Sequence, residues 1–110
     1  MGSQFLYPRL PHLNRAVINF AASGNNTVIA AHATKRILID RIWLVCAGAT
    51  NLTFVDNLTD PAAVPMSANG GITFDTTGEP WFVTDPATAF IINSSAAVQV
   101  SGCAYYHLDL

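Results

Sequence analysis

The sequence predicts an all-β fold, a two-sheet antiparallel sandwich or barrel, and three observations carry that prediction. Hydrophobic residues recur with the period of a strand rather than that of a helix. Clusters of Gly, Pro, Asn and Ser punctuate the chain at roughly regular spacing and leave seven or eight short strands. No segment reads as a convincing helix. A chain of 110 residues has room for one domain and one hydrophobic core.

Beginning at Arg15, the residues Ala16, Ile18, Phe20 and Ala22 alternate with Val17, Asn19 and Ala21. Gly24-Asn25-Asn26 reads as a turn, so the β-branched run Thr27 to Ala31 is expected to close a hairpin with the strand before it. The longest apolar stretch, Lys35 to Ala47, shifts phase. Ile37 and Ile39 point one way, and beyond Asp40-Arg41 the alternation Ile42, Leu44, Cys46 falls on the opposite face. A bulge at Asp40-Arg41 restores a single inner face by adding one residue. A strand buried on both faces, with Trp43 and Val45 against a neighbour, is the other solution, and the two are compatible.

Ala47-Gly48-Ala49 marks the next turn, after which Leu52 and Phe54 alternate with Thr53 and Val55. Asp56 to Pro65 reads as a loop by composition, and Asn69-Gly70-Gly71 as a tight turn ahead of the strand Ile72-Thr73-Phe74. Thr77 to Pro80 is another loop, leading to Trp81-Phe82. Pro86 opens a strand in which Phe90 and Ile92 alternate with Ile91 and Asn93. Ser94-Ser95 turns the chain into a last strand from about Ala97 to Leu108, where Val98, Val100, Ala104 and Tyr106 share a face with Gly102. A glycine there points to close approach of another backbone, or to a bulge.

The N-terminus differs in kind, and the chain divides into an extended arm, residues 1–14, and a β-domain, residues 15–110. Phe5, Leu6, Tyr7, Leu10 and Leu13 are interspersed with Pro8 and Pro11 in no period. Proline at that spacing favours an extended conformation without internal hydrogen bonds. An extended apolar arm cannot bury itself; it must lie on its own domain or reach onto a partner.

Composition narrows the function classes. Apolar residues make up 51% of the chain and charged residues 11%, against an ordinary charged share of roughly 25%. So few charges leave uncharged or apolar surface outside the core, which association with another copy or a partner is expected to cover, a monomer coated with Thr, Asn, Ser and Ala being the alternative. Trp43, Val45 and Ile91 fall opposite the core positions of their strands and are the candidates for an oligomer interface. Net charge is −2, and the cations Arg9, Arg15, Lys35, Arg36 and Arg41 form no patch, so neither nucleic acid nor an anionic membrane surface is an expected partner. No apolar run approaches the roughly 18 residues of a spanning helix, and Pro8 and Pro11 interrupt any apolar signal core, so synthesis in the cytoplasm is expected. In that compartment Cys46 and Cys103, each inside an apolar run, are expected as buried free thiols, with one structural disulfide as the alternative.

No constellation of catalytic residues emerges, and neither an enzyme activity nor a metal or cofactor is expected. His12, His32 and His107 are not at ligand spacing, and there is no CxxC or G-x-S-x-G. Asp56, Asn57 and Asp60 offer oxygens from one loop, but their spacing matches no EF-hand and a solvated loop explains them. The N-x-S/T triplets at Asn25, Asn51, Asn57 and Asn93 follow from a β surface rich in Thr, Asn and Ser. Trp43 and Trp81 are read first as core or subunit-interface residues, with a sugar-binding platform as the sharper alternative.

From Lys35 onward the chain resembles small structural proteins of tailed bacteriophages. The resemblance rests on Lys35-Arg36-Ile37 leading into an apolar strand, Gly48-Ala49-Thr50 before Leu52-Thr53-Phe54, and Asn69-Gly70-Gly71-Ile72. It continues through Gly78-Glu79-Pro80-Trp81-Phe82 and through Ser95 to Gly102 before the terminal strand. The arm lies outside it. The resemblance implies a jelly-roll type sandwich, often trimeric, on the outside of the head or in head and tail fibres. The expectation is therefore a capsid decoration protein, a homotrimer that binds the major capsid protein at the virion surface. A head-fibre or tail-fibre module recognising a host glycan is the alternative, which a solvent-facing Trp81 beside Asp75 or Asp85 would favour. A cupin-type lyase or isomerase is disfavoured by the missing histidine cluster.

Overall fold

A computed structural model of the protein describes residues 14–55, 63–75 and 80–109. The arm candidates Phe5, Leu6, Tyr7, Leu10 and Leu13, His12, and the loop stretches 56–62 and 76–79 lie outside the described residues. The described chain forms nine strands: β1 (Asn14–Phe20), β2 (Gly24–Ile29), β3 (Arg36–Cys46), β4 (Thr50–Val55), β5 (Val64–Met66), β6 (Gly71–Asp75), β7 (Phe82–Val83), β8 (Phe90–Ser94) and β9 (Val100–Asp109). They build two antiparallel sheets packed as a sandwich. The first, sheet A, runs β1-β9-β3-β6 with β7 also on β3, and the second, sheet B, runs β2-β8-β4-β5.

The phase shift in the longest strand is resolved by a bulge. In the pairing of β3 with β9, Ile39 faces Tyr106 and Arg41 faces Tyr105, leaving Asp40 as the extra residue. Ile37 and Ile39 before it and Ile42, Leu44 and Cys46 after it are all buried. Without the added residue the last three would face outward, and burying each large aliphatic side chain is worth roughly 1.5–3 kcal/mol, more than a local break in one ladder costs. His107 Nδ1 lies 2.6 Å from Asp40 Oδ2, tying the bulged residue to the neighbouring strand.

The expected hairpin between the first two strands does not form. β1 pairs with β9 and β2 pairs with β8, so the chain crosses from one sheet to the other at Ala21–Ser23. Gly24-Asn25-Asn26 begins β2 instead of forming a turn. The corner is made by Gly24, at φ 88°, and by the Asn26 amide, which donates to Ala22 O at 2.9 Å and Gly24 O at 3.1 Å. Crossing lets Ile18 and Ile29 enter the core from opposite sheets.

Two loop readings are also corrected. The loop expected to reach Pro65 ends earlier, because Val64–Met66 pairs with β4 as β5. β5 is an edge strand, where proline's missing N–H costs no ladder bond. Pro86 does not open a strand: it lies in a turn with Ala87 at φ 60°, and β8 begins at Phe90. The last strand likewise begins at Val100 rather than Ala97.

The core joins Ile18, Ile42, Leu44 and Val100 of sheet A to Leu52, Phe54, Phe90 and Ile92 of sheet B. Gly102 fulfils its reading as a close-approach site: a Cβ there would collide with Trp43 O and lie 2.7 Å from Leu44 Cα. At one end of the sandwich, Thr50 Oγ1 and Ser94 Oγ are 2.8 Å apart, Ser94 donates to Ala96 O at 2.8 Å, and Ala96 N donates to Thr50 Oγ1 at 3.1 Å. This closed ring satisfies two buried hydroxyls where β8 turns toward β9. At the start of β3, buried Thr84 stands in for a strand neighbour. Its N–H donates to Ile37 O at 2.9 Å, and its Oγ1 accepts from Ile37 N at 3.0 Å.

Candidate interaction surface

Sheet A presents its outer face as rows that cross the strands. Arg15, Tyr105, Arg41 and Asp75 form one row, Val17, Cys103, Trp43 and Thr73 the next, and Asn19, Ser101, Val45 and Gly71 the third. These residues face outward by the same alternation that turns Ile18, Leu44 and Ile72 inward. Val17 is 68% exposed, Trp43 46% and Val45 43%. Cys103 lies between Val17 and Trp43 and is itself only 8% exposed, so it forms the floor of an apolar band.

Polar rows bound that band on both sides. Arg41 stacks over the Tyr105 ring, 5.6 Å from its centroid, and its Nε is 3.7 Å from Asp75 Oδ1. Both ion-pair partners are about half exposed, and such pairs contribute roughly 0–1 kcal/mol. Their main effect is to mark the edge of the band with charge. On the other side, Gln99 Nε2 donates to Asn19 Oδ1 at 2.7 Å and to Ser101 Oγ at 3.1 Å.

The structure brings Trp43 and Val45 together and separates them from Ile91. Ile91 lies in β8 on sheet B, between Thr27 and Val55 on that sheet's outer face, and is half-buried. The three candidates therefore do not form one patch. Val17 and Val83 are the exposed large apolar residues missed as candidates, and Val17 is the one that joins the Trp43 row. Its outward alternation against Ile18 was legible, but its position two strands from Trp43 depends on the β1–β9 and β9–β3 pairings.

The outer face of sheet B has a different character. Asn25, Asn93 and Thr53 share a row, with Asn93 Nδ2 donating to Asn25 Oδ1 at 2.7 Å. The two tryptophans are also parted. Trp81 packs in the aromatic end of the core, with ring centroids 5.1 Å from Phe54, 4.8 Å from Phe74 and 5.5 Å from Phe82. It does not stand out on the surface beside Asp75 or Asp85, so the two indoles make no common sugar platform.

His32 serves the fold. Its Nδ1 accepts from Thr34 N at 3.1 Å and Lys35 N at 3.2 Å, closing the turn before β3. Cys46 and Cys103 are free and buried on opposite faces of sheet A, which excludes a bond between them. Burial pushes the Cys46 thiol above its ordinary value of 9.0. Among the described residues, no group of three or more His, Cys, Asp or Glu side chains could hold a metal ion. Compared with known proteins, the chain matches no family model and no curated protein. The surface chemistry must therefore carry the functional argument.

Proposed function

We propose that the protein is a structural, non-enzymatic component of a phage virion: a homotrimeric capsid decoration protein that binds the major capsid protein on the outer surface of the head and stabilises it. The observation that carries this reading is the Val17–Cys103–Trp43–Val45 band on sheet A, an apolar surface framed by polar rows. An exposed apolar cluster with a polar rim is the usual form of a protein interaction site. The resemblance of the segments after Lys35 to small phage structural proteins points the same way. Synthesis in the host cytoplasm, with free thiols kept reduced, is consistent with Cys46 and Cys103.

The mechanism is additive binding. A ligand that binds the assembled lattice and not its separated subunits shifts the equilibrium toward the lattice, by about 2.7 kcal/mol per site at a hundredfold excess over Kd. A trimer raises the effective concentration of each contact once the first has formed, so contacts weak in isolation hold together. Counting copies on purified virions tests the assignment. A copy number that scales with the major capsid subunit is the expected result. A handful of copies per particle would replace decoration with a fibre or tail role, and absence from the particle would end the virion reading.

A further inference from the structure

We infer that the apolar band on sheet A is covered by the N-terminal arm of a neighbouring copy, residues 5–13 lying across the Val17–Cys103–Trp43 row. The inference rests on the homo-oligomer proposed above and names the contact that would build it. The shape of the band is the first argument. It runs across β1, β9 and β3, about 10 Å in the hydrogen-bonding direction, and is one row deep, widened on β3 alone by Val45. Those are the dimensions of one extended chain. A second sheet laid face to face would also cover Arg15, Arg41 and Asp75, and taking those charges out of water opposes the contact.

The second argument is the segment available to fill it. The N-terminal stretch outside the described residues ends at Leu13, immediately before Asn14, the first residue of β1, the strand that supplies Val17. Residues 5–13 bring Phe5, Leu6, Tyr7, Leu10 and Leu13 with Arg9 as the one Lys or Arg, a composition that matches an apolar band. Tyr7 and Leu10 each precede a proline, which disfavours the helical region at both positions and suits an extended occupant.

Direction selects the neighbour. Asn14 pairs with Tyr106 at the first position of β1, three residues before Val17. To cover its own Val17 the arm would have to reverse within Pro11 to Leu13 and then turn again to run across the strands. Nine extended residues reach about 30 Å, enough to leave the subunit and cross the band of another.

Disulfide trapping in the full chain tests this. Leu10→Cys is placed in one population and Thr73→Cys, an exposed member of the Trp43 row, in a second that carries a size tag; both also carry Cys103→Ala, and the two are co-expressed. Mild oxidation is expected to give a mixed-size covalent dimer at least about tenfold above a control pair of Leu10→Cys with Thr53→Cys on sheet B, because a docked arm has a high local concentration. A cross-link within a third chain that carries both substitutions, with none between the two populations, would assign the arm to its own subunit and overturn the inference. No cross-link above control, in a sample that light scattering shows to be oligomeric, would overturn it while leaving the oligomer in place. A monomeric mass would overturn both.

Discussion

The two outer faces of this sandwich are built from the same kind of strand and differ in what they leave unfinished. On sheet B the outward positions are the polar Asn25, Asn93, Thr53 and Thr27, with Asn93 donating to Asn25, around the half-buried Ile91 and Val55. Sheet A places Val17, Trp43 and Val45 outward over a buried cysteine and gathers its charges into a separate row. A low charge content alone does not say where a protein associates. The distribution between faces is what differs: sheet A leaves large apolar side chains open to water, and the apolar residues on the outer face of sheet B are half-buried.

The largest way to break that contrast is to remove the register that creates it. Gly102→Val would push a side chain into the Trp43 carbonyl and the Leu44 backbone. Separating β9 from β3 takes away the inner and outer rows together. A loss of more than about 4 kcal/mol, most of the stability at the lower end of the usual range of about 5–15 kcal/mol, is expected in chemical denaturation. A folded variant with unchanged stability would mean that the two strands do not approach as closely as described.

A smaller effect separates the arm from the domain. Each apolar side chain of the arm is worth roughly 1.5–3 kcal/mol when fully buried, and ordering the backbone costs about 1–2 kcal/mol per residue. With terms so nearly balanced, the proposed docking of the arm requires contacts that a partner adds. Removing residues 1–13 is expected to move the thermal transition little and to weaken binding to undecorated capsids by about tenfold or more, equivalent to at least about 1.4 kcal/mol. Undiminished binding would place the whole attachment on the sandwich itself.

The inner face has its own signature in pH. Burial raises the Cys46 thiol above its ordinary value of 9.0, so the folded chain keeps that proton when the unfolded chain has lost it. This contribution is fully present below 9.0 and declines as pH rises from there through the raised value, with a limiting slope of about 1.4 kcal/mol per pH unit. Denaturant melts between neutral and alkaline pH check it: Cys46→Ala, less stable throughout, should lose this share of the decline. A decline identical in the variant would assign it to other groups. A smaller loss, about 1 kcal/mol, is expected for Asp40→Ala. Its contact with His107 is charge-assisted in kind but partly solvated, so it falls below the roughly 1.5–3 kcal/mol of a buried example. An unchanged melting curve would show that packing alone holds the bulge.

What was legible in the sequence follows from the same contrast between near and far. Alternation is a local property, so the inward set of β3 and the bulge at Asp40 follow from residues 37–46 alone. Gly102 announced a close approach because no other residue type fits between two ladders. Strand partnership is not local. Gly24-Asn25-Asn26 has the composition of a hairpin turn, yet β1 finds β9 and β2 finds β8, partners more than sixty residues away. The same blindness grouped Ile91 with Trp43 and Val45: period two separates inward from outward but does not say on which sheet outward lies. Pro65 misled for a related reason, since a proline is excluded from a central strand and welcome at an edge.

The central claim is that association runs through the outer face of sheet A, and the mass of the protein in dilute solution tests it most directly. Light scattering at micromolar concentration is expected to give a trimer for the native chain. Trp43→Asp, which puts a charge into the band without touching the core, should give a monomer that melts within about 1 kcal/mol of the native domain, while Thr53→Asp on sheet B should remain a trimer. A native chain that is already monomeric would contradict the account, and so would a Trp43→Asp variant with the same mass as the native protein.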